Sequence, residues 1–158
     1  MKFLLTVIAY NAETIVDMDD HSALIIGTVS CRALSPDPLL VTRGKFRLFI
    51  PDTDKVESNK MMYNLNLDAT DGTKYRFKGY KLVKNGKMKD AWEQTTNLYV
   101  TVYLREENED EDLDEVIVNQ EEEESDTRKI VGRGVLQMNP FEFLKQMTTF
   151  TVRDIIYW

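Results

Sequence analysis

The segment MMYNLNLDATDGTKYRFKGY, residues 61–80, alternates on both sides of an Asp-Gly turn, and very few chain registers satisfy it. Before the turn, Met61, Tyr63, Leu65, Leu67 and Ala69 share one parity, while Met62, Asn64, Asn66 and Asp68 share the other. After it, Tyr75 and Phe77 alternate with Lys74, Arg76 and Lys78. A strand sends successive side chains to opposite faces, so a slip of one residue exchanges core and surface along its whole length. A two-residue loop would set Leu65 against Lys78 and Leu67 against Arg76. A three-residue loop, Thr70-Asp71-Gly72, sets Leu67 against Tyr75 and Leu65 against Phe77. The spacing therefore predicts a type I turn followed by a bulge, with Gly72 in the left-handed position. The opposite face, Asn64, Asn66 and Asp68 beside Lys74, Arg76 and Lys78, reads as solvated.

The rest of the chain repeats this grammar. Short runs rich in β-branched and aromatic residues occur at 2–10, 23–33, 39–50, 61–70, 73–83, 97–105, 129–138 and 149–157. The expected fold is all-β, with about eight mainly antiparallel strands in a single domain over residues 1–158. A β-sandwich and a closed meander barrel both satisfy the pattern. One short helix is expected at about 140–148, with Asn139 as its cap, Pro140 in its first turn and Phe141, Leu144 and Met147 on one side. Cys31 shares parity with Val29 and Ile25 and reads as a core thiol. Gly132 and Gly134 read as positions that permit a bend or a close approach to a neighbouring strand.

Charge is distributed unevenly. Residues 106–126, EENEDEDLDEVIVNQEEEESD, hold 13 of the 27 acids and no Lys, Arg, Gly or Pro. The remaining 14 acids face 20 bases, so a basic body of about +6 carries an acidic insertion. That insertion reads as a mobile, solvated loop between two strands, one able to cover basic strand faces.

Most catalytic chemistries lack their residues. A single cysteine and a single histidine, His21, exclude a disulfide framework, Cys-based zinc sites and paired-His metal sites. No nucleophile elbow, phosphate-binding loop or dinucleotide fingerprint occurs. The Asp clusters at 17–20 and 52–54 lack calcium-loop spacing and read as turn residues. The chain is therefore expected to be non-catalytic, to hold no cofactor or metal, and to bind no nucleic acid. No run is long enough to be a transmembrane segment. Thr6 breaks the apolar start, and no glycosylation sequon occurs, so cytoplasmic residence is the expectation.

Three segments taken together carry a further signal. They are DMDDHSALIIGTVSCRALSPDPLLVTRGKFRLFIPD, MMYNLNLDATDGTKYRFKGYKLV with AWEQTTNLYVTVYL, and GRGVLQMNPFEFLKQMTTFTV. Within them the ordered set is Gly27-Thr28-Val29, Gly44-x-Phe46, Tyr63, Gly79-x-Lys81, Trp92-x-x-Thr95-Thr96 and Gln146-x-x-Thr149. This set resembles a β module found in large bacterial proteins that contain a cholesterol-oxidase-like flavoprotein of the glucose–methanol–choline type, often with an α/β-hydrolase region. The resemblance implies an accessory module near lipid-like substrates, with a lipid-metabolising enzyme as its protein partner; the alternative is a small-molecule binding protein that holds a lipid or sterol inside a β-barrel. The resemblance transfers no catalytic residue. Independently, Lys81 falls on the inward parity of Tyr75 and Phe77, near the end of that face, where an ammonium needs a carboxylate, a ligand or a path to water. Lys81, Tyr63, Trp92 and Thr95 are the candidate ligand-binding residues.

Overall fold

The computed structural model describes residues 1–9, 22–51, 58–84, 96–106 and 129–137, with single positions at 139, 141, 145, 148 and 149. Seven strands run through these residues: β1 (Lys2–Ile8), β2 (Ser22–Ser30), β3 (Leu39–Pro51), β4 (Ser58–Asp68), β5 (Lys74–Lys84), β6 (Asn97–Leu104) and β7 (Ile130–Gln137). They form one antiparallel sheet in chain order, each strand pairing with the next. The all-β antiparallel expectation holds. The candidate strand at 149–157 beyond Thr149, the acidic insertion at 106–126 beyond Glu106 and most of the candidate helix lie outside the described residues. The helix's expected cap is in place, since Phe141 N–H donates to Asn139 Oδ1 at 2.9 Å.

The β4–β5 hairpin has the register its alternation demands. Leu65 faces Phe77 and Leu67 faces Tyr75. The loop is Thr70-Asp71-Gly72: Ala69 N–H donates to Thr73 O at 2.9 Å and Gly72 N–H to Ala69 O at 3.1 Å. Gly72 has φ 88°, a left-handed value that a Cβ would strain. Asp71 Oδ1 accepts the Thr73 N–H at 2.9 Å, and this bond holds the Asp71 carboxyl below the usual carboxylate range.

The inner face of the sheet carries the core. Ile25, Val29, Leu39, Val41, Leu65, Leu67, Tyr75, Phe77, Val100 and Val102 are buried together, with Phe3, Leu5, Phe46, Leu98 and Leu136 packed against them. The Phe3 and Phe77 rings meet edge to face at 5.5 Å, although β1 and β5 are four strands apart. In a flat sheet those strands would lie about 19 Å apart, so the sheet curls strongly and fills its concave side with side chains. It does not close. Among the described residues β1 pairs only with β2 and β7 only with β6, because β1 curls onto the middle of the sheet and does not reach β7. Among the described residues the sheet is therefore an open, curled meander and not a closed barrel.

Two details make the curl possible. Gly27 on β2 has φ 139°, and a Cβ there would run into the carbonyl oxygen of Leu4 on β1. The β2–β3 and β3–β4 ladders both shift register, between Leu24 and Gly27 and between Val41 and Arg43, which bends the sheet locally.

One end of the core is tied shut. Cys31 O accepts from Leu34 N–H and Ser35 N–H at 2.9 and 3.0 Å, making a tight turn after β2. The Tyr75 hydroxyl donates to Leu34 O at 3.0 Å, and Thr70 Oγ1 donates to Asp37 Oδ2 at 3.0 Å. Cys31 is consequently half-exposed in that turn; strand parity does not reach it, because β2 stops at Ser30.

Candidate functional site

The opposite end of the core is where Lys81 lies. Along the inner face from the hairpin turn, the rungs are Leu67–Tyr75, Leu65–Phe77, Tyr63–Gly79 and Met61–Lys81. Tyr63 faces a residue without a side chain, and its ring also packs on Phe46, centroids 4.9 Å apart. Lys81 Nζ sits 5.7 Å from the centre of the Tyr63 ring. Burial pushes the Tyr63 hydroxyl up to about 12, while desolvation lowers the Lys81 ammonium below its usual range. The ring face favours the charged amine and offsets part of that loss. Among the described residues no carboxylate stands within salt-bridge distance of Lys81. Such an amine, half out of water at the end of an apolar face, suits the anionic end of an amphipathic molecule. Sequence parity thus brings Lys81 and Tyr63 together as expected; Trp92 and Thr95 lie outside the described residues.

The outer face differs from its expected character. Asn64, Asn66, Arg76 and Lys78 are only 3 to 8% exposed, and Arg47, Thr101 and Tyr103 beside them are buried too. A solvated reading of this face is therefore corrected. On β4, β5 and β6 consecutive residues are buried on both parities, so the middle of the sheet is shielded on both sides. Arg76 Nε donates to Asn66 Oδ1 at 3.3 Å, and Lys78 Nζ lies 5.5 Å from the centre of the Tyr103 ring. At the border of this layer Asp68 Oδ1 accepts from Arg105 Nη2 at 3.0 Å and from Thr42 Oγ1 at 3.3 Å. Buried cations need such partners, since leaving one uncompensated costs several kcal/mol or about that order.

The outer face of β1, β2 and β3 is of a third kind. Leu4 faces Thr28, which faces Leu40; Thr6 faces Ile26; Ile8 faces Leu24, which faces Lys45. Leu4 is 73% exposed, Leu40 54%, Ile26 44% and Leu24 40%. These strands contain Lys2, Arg43, Lys45 and Arg47 and not one Asp or Glu. On the β4 side Leu40 faces Asp68, whose carboxylate is held by Arg105 and Thr42, so among the described residues β1, β2 and β3 themselves add cations and no acid to an exposed aliphatic patch. Sequence reasoning missed it, although β1, β2 and β3 read as apolar on both parities in FLL, ALII and LLV.

At the far edge, Gly132 and Gly134 on β7 face Val102 and Val100, and nothing lies within 4 Å of a Cβ at either position. The close approach expected of them is absent; an irregularity between Val102 and Tyr103 does bend the ladder there. Among the described residues no group of three or more His, Cys, Asp or Glu is placed to hold a metal ion, and no helix is long and apolar enough to cross a membrane. Searches for relatives return no matching family, no matching curated protein and no matching solved structure.

Proposed function

We propose that this chain is a non-catalytic interaction module that docks on a partner protein through the outer face of β1, β2 and β3. The observation that carries the reading is the set of exposed aliphatic side chains, Leu4, Ile26, Leu40 and Leu24, on strands that also expose Lys2 and Arg43 and contain no acid. The resemblance to the β module of cholesterol-oxidase-like proteins supplies the setting: the partner is a lipid-metabolising enzyme. Affinity capture from a cell that encodes such a flavoprotein tests it. The double variant L4D/I26D is expected to lose the partner while keeping its fold by circular dichroism. Equal capture by the variant and the wild type would remove this face from the docking.

A second reading, a carrier of a lipid-like ligand, is favoured by Lys81 alone. Its half-dehydrated amine over Tyr63 fits a carboxylate at the end of the core, although Phe3 and Phe77 fill the space further in. Binding of the fluorescent fatty acid cis-parinaric acid, lost on Lys81→Met, would favour the carrier; no binding by the wild-type chain would end it.

A further inference from the structure

We propose that the free edge of β1, with the outer face beside it, receives an extended acidic and aliphatic segment of a partner protein as an added strand. This rests on the docking reading above and names the chemistry of what docks.

An edge strand presents a row of unpaired backbone groups, and proteins usually blunt it with charge, proline or a bulge. The two edges of this sheet differ in that respect. β7 carries Arg133 at its middle, between two glycines, and its ladder is irregular. β1 carries no charge, proline or glycine from Phe3 to Ile8, and its pairing with β2 runs unbroken from Lys2↔Ser30 to Ile8↔Leu24. Among the described residues β1 pairs with β2 alone. Among the described residues it is a regular template with no strand on its other side, the geometry on which an extended segment adds by main-chain hydrogen bonds.

The neighbouring side chains select the segment. An added strand lays its outward residues beside Lys2, Leu4, Thr6 and Ile8. Leu4, the most exposed large residue of the patch, calls for an aliphatic neighbour. Lys2, on β1 itself, calls for a carboxylate, and Arg43 further across the face adds to the positive field.

Other occupants fit less well. A bilayer would strand the free backbone groups of β1 in hydrocarbon, which has nothing to bond them. A second copy would bring two acid-free, cationic faces side by side.

The test uses fluorescein-labelled peptides and the full chain, read by fluorescence anisotropy. One peptide alternates Glu and Val, a second alternates Lys and Val, and a third is the Glu/Val peptide with alternate amides N-methylated so that it cannot add as a strand. The Glu/Val peptide is expected to bind, the Lys/Val and N-methylated peptides to fail. Binding is expected to weaken about tenfold in K2E/R43E, a variant that leaves the aliphatic patch intact. Equal binding of the Lys/Val or the N-methylated peptide overturns the proposal. So does binding to phosphatidylserine vesicles without binding to the peptide, which makes the face a lipid surface. Concentration-dependent dimers that L4D/I26D abolishes, again without peptide binding, overturn it in favour of a second copy. If no peptide binds but L4D/I26D loses a captured partner, strand addition is overturned and the docking reading stands. If capture is unchanged in L4D/I26D, the docking reading itself falls.

Discussion

Phe3 on β1 and Phe77 on β5 meet edge to face, their centroids 5.5 Å apart and their planes at 70°. This contact joins the first strand to the middle of the sheet and turns an open meander into a curled layer with a filled concave side. Replacing Phe3 by Ala is expected to cost about 2 kcal/mol, less than a fully buried ring because Phe3 is partly exposed. Urea unfolding measures it. A loss below about 0.5 kcal/mol, the range of an ordinary surface change, would mean that the contact does not hold the curl.

Glycines that look alike in the sequence are expected to behave differently. Gly27→Ala places a Cβ against the Leu4 carbonyl at a φ of 139° and should cost about 2 kcal/mol or more. Gly134→Ala meets open space on an edge strand and should change stability by less than about 0.5 kcal/mol. Thermal midpoints of the two variants give the comparison, and equal losses would contradict the close β1–β2 approach.

What the sequence made legible follows from where burial acts. The 61–80 alternation determined a register because a slip inverts the core face, and Leu65–Phe77 and Leu67–Tyr75 pair accordingly. The same parity carried Lys81 to the rung beyond Gly79 and beside Tyr63. Parity could not reveal that Asn64, Asn66, Arg76 and Lys78 are covered, because their polarity is that of a wet face and shielding from beyond the strand leaves no local mark. Cys31 was misplaced because parity was extended one residue past the strand. The exposed patch of Leu4, Ile26 and Leu40 is not distinguishable in the sequence, because an apolar residue on an open face reads like one in the core.

Lys81 and Tyr63 are expected to titrate in opposite directions from their ordinary values. The folded Lys81 amine loses its proton below 10.5, where the unfolded chain still holds it, so this residue makes stability rise with pH through that window. Tyr63 keeps its proton to about 12 in the fold and would lose it near 10 when unfolded, so above pH 10 it makes stability fall. Lys81→Met should therefore be more stable than the wild type at neutral pH, with the gap narrowing toward 10.5. The Lys81 Cε resonance gives the direct check, and a midpoint at or above 10.5 would contradict the half-dehydrated amine.

Removing residues 107–126 takes away all but one of the 13 carboxylates in that stretch. If the segment screens the basic strands, the shortened chain should bind the Glu/Val peptide more tightly in low salt, and the gain should shrink as salt rises. Unchanged affinity in low salt would exclude screening.

Amide hydrogen exchange, followed residue by residue with the Glu/Val peptide bound, tests the docking edge most directly. Exchange in Lys2–Ile8 should slow about tenfold or more while Ile130–Gln137 is unchanged, because only β1 gains a neighbour. Protection confined to β7, or to the end of β5 around Lys81, would contradict β1 as the edge at which the partner strand docks.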